Sequence, residues 1–83
     1  MNDYEKLIQL NRHSGSSDLN SLLKDMKKAG FRPGIYNRGK LWRTHINCAG
    51  NYWHDGPTPV SSMRGAIKFA IKSLKRDNRI NID

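Results

Sequence analysis

The hydrophobic period of this chain changes twice, and no other feature constrains its fold as tightly. Leu19, Leu22, Leu23 and Met26 recur at helical spacing. From Phe31 that spacing is lost. Leu41 to Asn47 alternates, with Trp42, Thr44 and Ile46 on one face and Leu41, Arg43, His45 and Asn47 on the other. Val60, Met63, Ile67, Ala70, Ile71 and Leu74 then return to the helical period. A pattern of period two cannot bury one face as a helix, so strands must lie between two helices.

The residues between these segments act as punctuation. Tyr4 to Leu10 reads as a short helix and Asn11 to Ser16 as a polar loop. Ser16, Ser17 and Asp18 offer side-chain oxygens that cap a helix start, and Gly30 suits the left-handed residue just past its end. Lys27 and Lys28 complement the dipole in its last turn. Pro33-Gly34 opens a strand at Ile35-Tyr36, and Asn37-Arg38-Gly39-Lys40 reads as a hairpin connection. Ala49-Gly50-Asn51 marks a further turn before a third strand at Tyr52-Trp53-His54. Thr58 caps the final helix and Pro59 opens it, its missing N–H being unpaired there in any case; the helix runs to about Arg76. The expected architecture is α+β: a three-stranded antiparallel sheet with two main helices on one face, in the order α-β-β-β-α. One domain spans residues 1–83, with the short helix and loop in 1–16 and the α-β-β-β-α core in 17–83.

At 83 residues the chain holds a thin core. A domain of this size buries only about 60% of its unfolded surface. That argues against a deep substrate cavity and for function on a surface. Charge sharpens the point, because fifteen Lys and Arg oppose seven Asp and Glu. Residues 1–26 have three basic and four acidic side chains, while residues 27–83 have twelve and three. The natural partners of such a chain are polyanions or acidic protein surfaces. The single cysteine, Cys48, excludes an intramolecular disulfide framework. Neither a membrane-length apolar run nor a signal peptide is visible, so a cytoplasmic protein that does not enter a membrane is expected. No cofactor is expected. A monomer or small homo-oligomer would suit the size.

The most informative candidate site is the solvent side of the last helix. Arg64, Lys68, Lys72, Lys75 and Arg79 project within roughly 40° of one direction at helical spacing, Arg79 only if the helix passes Asp77. No acidic residue interrupts them, so the usual pattern of i,i+4 ion pairs is missing. Such a line suits phosphates or carboxylates; the plain alternative is a solvated face tuned for solubility. Arg32, Arg38, Lys40 and Arg43 add charge from the sheet region, interleaved with Tyr36, Trp42, Tyr52 and Trp53. Rings on a basic sheet can stack nucleobases or can simply fill a core. Helices cover one sheet face only, which favours exposure of Trp42 or Trp53 on the other.

A weaker constellation is His45, Cys48, His54 and Asp55, whose residue types suit zinc or a Cys–His nucleophilic pair. It lacks the closely spaced ligand pairs of an ordinary zinc signature, so no metal site is expected. No Gly-rich phosphate loop and no paired carboxylates appear either. Catalysis is not expected.

The segment from Leu41-Trp42 through Ala70 resembles small phage and prophage proteins described as α-β-β-β-α sandwiches. The matching features are Trp42 on a middle strand, the turn Gly56-Pro57-Thr58-Pro59 and the spaced alanines Ala66 and Ala70. The resemblance covers about half the chain. It implies phage origin, a bacterial host cytoplasm and a modulatory role such as host takeover or inhibition of bacterial defence, CRISPR systems included. The element order is also similar to that of the double-stranded RNA-binding domain. That family opens its last helix with adjacent lysines, whereas this chain has Ser61-Ser62-Met63-Arg64 there. The expected function is therefore non-enzymatic binding of nucleic acid, or of a complex that handles it, through Arg64, Lys68, Lys72, Lys75 and Arg79 with Arg38, Lys40, Arg43 and Trp53. The alternative is an inhibitor that docks on an acidic surface of a host protein and blocks it.

Overall fold

The computed structural model describes residues 2–13, 18–47 and 51–76. Its elements run α1 (Asp3–His13), α2 (Leu19–Lys28), β1 (Gly34–Arg38), β2 (Leu41–Asn47), β3 (Asn51–Gly56) and α3 (Pro59–Arg76). The fold is α+β in the expected order, with the three strands side by side as an antiparallel β1-β2-β3 meander.

Local chemistry accounts for the boundaries. Asp18 caps α2 by accepting from the Asn20 N–H at 3.2 Å. At the other end Gly30 takes φ +91°, the Gly30 N–H donates to the Lys27 carbonyl at 3.0 Å, and the Phe31 N–H reaches the Met26 carbonyl at 2.9 Å. This paired closure is the Schellman arrangement, and it drops Phe31 into the core. The β1–β2 hairpin closes on Gly39-Lys40 alone, since Arg38 already pairs with Leu41. Gly39 adopts φ +74° there, in the left-handed region that two-residue hairpins require. Thr58 and Ser61 cap α3 reciprocally: the Ser61 N–H donates to Thr58 Oγ1 at 3.1 Å and the Thr58 N–H to Ser61 Oγ at 3.0 Å.

Helix α3 is the hub. It lies across β2 and β3 and reaches β1, while α1 and α2 dock on α3. One core joins Leu7 and Leu10 of α1, Leu22 and Met26 of α2, Phe31, Ile46, Tyr52, and Met63, Ala66, Ile67, Ala70 and Leu74 of α3. Three expectations change in detail. Helix α1 runs through Asn11–His13, where the sequence suggests a loop, and its two leucines are core residues, so the core is not confined to 17–83. Strands β1 and β3 are longer than their apolar centres suggested. The side of α3 facing the sheet includes Ser62, Ala66 and Ser73, all buried, which the apolar stripe had left out.

Those small residues let helix and sheet approach closely. A Cβ on Gly65 would collide with the His54 ring. A Cβ on Gly56 would lie 2.8 Å from the Ser62 backbone nitrogen. Between helix and sheet, Thr44 and Ser62 share a buried hydroxyl–hydroxyl bond of 2.7 Å, and Ser62 Oγ also reaches the Pro59 carbonyl at 2.8 Å. The Thr44 and Ser62 hydroxyls, both fully buried, are thereby satisfied, as a low-dielectric interior demands.

Candidate nucleic-acid interface

Alternation sorts the sheet into two faces. Ile35 of β1, Trp42, Thr44 and Ile46 of β2, and Tyr52 and His54 of β3 share the side that meets α3, as their ladder partners require. The opposite face carries Tyr36 and Arg38, then Leu41, Arg43 and His45, then Trp53 and Asp55. Among the described residues no helix covers this outer face. Tyr36, Leu41 and Trp53 remain 45%, 43% and 46% exposed. Of the two tryptophans, Trp53 is the one presented outward, and Trp42 is half-buried on the inner side.

Arg43 organises the centre of that outer face. It stands opposite Tyr36 on one side and Asp55 on the other. Its guanidinium donates to both Asp55 carboxylate oxygens, at 2.7 and 3.1 Å, a bidentate geometry that fixes the plane of the group. The same group lies 4.0 Å from the centroid of the Trp53 ring, well within cation–π range. The hydrogen bond from Arg43 and its charge, with Arg38 and His54 adding, hold the Asp55 carboxyl below its ordinary range. Arg43 is raised above its ordinary value, chiefly by the Asp55 hydrogen bond, with Tyr36 adding. Arg43 therefore sits on the expected surface but is committed to Asp55 and Trp53. Arg38 and Lys40 stand exposed at the hairpin end beside it.

The second surface is α3. Lys68, Lys72 and Lys75 are exposed on the side turned away from the core, and Arg64 is half-buried at the start of the same line. Among the described residues no carboxylate pairs with Lys68, Lys72 or Lys75. Arg79, the fifth member of the expected stripe, lies outside the described residues. Because α3 packs on the inner face, the lysines and the Trp53 face lie on opposite sides of the sheet layer. The sequence had merged them into one basic surface; the fold makes them two.

The His45, Cys48, His54 and Asp55 group is not assembled by its described members. His45 pairs with Trp53 on the outer face, whereas His54 lies on the inner face against Gly65. Asp55 is held by Arg43. Cys48 lies outside the described residues. Among the described residues no cluster of His, Cys, Asp and Glu is placed to hold a metal ion, and no helix is long and apolar enough to cross a membrane. An open depression between α2 and the following segment is lined by Leu23, Lys27, Gly30, Phe31, Arg32 and Pro33, without an acid or a nucleophile.

Sequence reasoning missed Asp55 as the partner of Arg43. Their pairing depends on the β2–β3 register, and the turn at Ala49-Gly50-Asn51 did not specify it. A search for family models, curated relatives and solved structures similar to this chain found no match.

Proposed function

We propose that this chain is a small, basic, non-enzymatic binding protein that holds the phosphates of nucleic acid along α3. The observation carrying this reading is the row of Lys68, Lys72 and Lys75, exposed on one side of an 18-residue helix with no described carboxylate beside them. Like charges three and four residues apart cost a helix a few tenths of a kcal/mol per pair. A polyanion turns that cost into a gain, because each phosphate neutralised releases condensed counterions. At a rise of about 1.5 Å per residue, Lys68 and Lys75 stand about 10 Å apart along the axis, a span that meets several phosphates.

The test is a binding titration with labelled duplex over a salt series. Three phosphate contacts give a slope of log K against log salt of about −2.7, and the paired substitution Lys68→Ala, Lys72→Ala shrinks it by about 1.8. An unchanged slope in that variant, or no binding at low salt, overturns the reading. In that event, capture of one host protein that survives nuclease treatment and is lost with the two lysines supports the other reading of these charges. The chain would then be a phage-type inhibitor docking on an acidic protein surface, as in suppression of a bacterial defence system.

A further inference from the structure

The outer sheet face is a second surface, separate from the α3 lysines, and its chemistry differs from theirs. Tyr36 and Trp53 are two exposed rings on the two edge strands, with Arg43 between them on the centre strand. From strand spacing and rise, their backbones stand about 12 Å apart, two strands over and two residues along. Arg43 covers one side of the indole at 4.0 Å and is itself clamped by Asp55, so Trp53 is held in one orientation while 46% of it stays exposed. A ring fixed in advance loses little side-chain freedom when it binds a flat partner. Among the described residues the one acid on this face, Asp55, is neutralised by Arg43, and Arg38 and Lys40 leave its hairpin end positive.

We propose that this face is a stacking platform for the unpaired bases of single-stranded nucleic acid. The inference rests on the nucleic-acid reading above and deepens it by naming the strand form. Rings can stack only on base faces that are free, and in a duplex those faces are buried between neighbouring pairs. The positive rim supplies the backbone contacts that such platforms combine with stacking. An apolar protein partner would leave Arg38 and Lys40 facing it without complementary charge. An oligonucleotide meets rings and cations together.

The experiment measures binding of the full chain to a fluorescent oligothymidine and to a duplex of equal length, for wild type, Trp53→Ala, Trp53→Phe, Tyr36→Ala and the Lys68→Ala, Lys72→Ala pair. The expected result is that Trp53→Ala and Tyr36→Ala each weaken oligothymidine binding about fivefold to a hundredfold and leave duplex binding unchanged. Trp53→Phe restores most of the loss, which a misfolded variant would not do. Wild-type affinity for oligothymidine in both ring variants overturns this proposal, and if the lysine pair still weakens binding, the α3 reading stands. Ring variants that weaken both probes equally also overturn it. Binding sensitive to the rings and indifferent to the lysines supports the platform and overturns the α3 reading. Failure of wild type to bind either probe overturns both. Nuclease-resistant capture of a protein that Trp53→Ala abolishes, with no ring effect on oligothymidine, assigns the face to a protein and overturns the proposal.

Discussion

Arg43 shows how one side chain can serve charge, packing and orientation together. It makes the bidentate pair with Asp55 and the contact with Trp53, with its side chain 20% exposed and that of Asp55 28% exposed. A carboxylate whose folded pKa is lowered stabilises the fold only while it is ionised. That contribution is complete above the unfolded value of about 3.9 and fades as pH falls through the lower folded value. Asp55→Asn is therefore expected to destabilise the protein at about pH 7 and to converge on wild type in strong acid, as read by urea unfolding at each pH. A deficit that is equal at about pH 2 and pH 7 would mean that Asp55 acts through shape and not through charge. Tyr52 shows the opposite economy. Its ring is buried and meets Phe69 edge-on at 5.9 Å, but its hydroxyl has no hydrogen-bond partner among the described residues. The ring is useful to the core here, and the hydroxyl is not.

The start and course of helix α3 were legible, because a Thr-Pro cap and a run of helical spacing agree on a helix that opens at Pro59 and continues to Arg76, the last described residue. Its orientation on the sheet was not legible. Gly65 reads from sequence as a mild weakness in the helix, at about 1 kcal/mol against alanine. In the fold it is where His54 rests. Gly65→Ala should thus be neutral to destabilising in wild type, because the new methyl must displace the His54 ring. Combined with His54→Ala, the same change should regain about 1 kcal/mol of helix propensity. Thermal melts of the two single variants and the double variant close the cycle; perfect additivity would refute the contact. At Gly56 the obstacle is the Ser62 backbone, which cannot rotate away, so that position tolerates no such compensation.

For the whole molecule, the core extends further towards the N-terminus than its amphipathic segments suggested. Leu7 is fully buried and α1 packs on α3, so the first helix closes the core that α3 builds on the sheet. Leu7→Ala is expected to cost about 2–5 kcal/mol, a large part of the roughly 5–15 kcal/mol that holds a domain together. A denaturant midpoint that barely moves would show α1 to be dispensable. Placing all three helices on one side leaves the outer sheet face uncovered by any described residue of a helix and turns the lysines of α3 away from it. The two candidate surfaces follow from that one-sided layering.

Sequence by itself determined the class, the order of elements and the starts of β2 and α3. Those depend on period and on capping, which act over a few neighbouring residues. It also determined that Lys68, Lys72 and Lys75 share one side of a helix, since helical spacing is a local property. Tertiary structure alone decided that Trp53 faces outward and Trp42 inward, that Arg43 is held by Asp55, and that the basic residues divide between two surfaces. These outcomes depend on strand register and on which face α3 covers. Register is chosen by the side chains that must be buried together, a choice made across the whole core and not within any one segment.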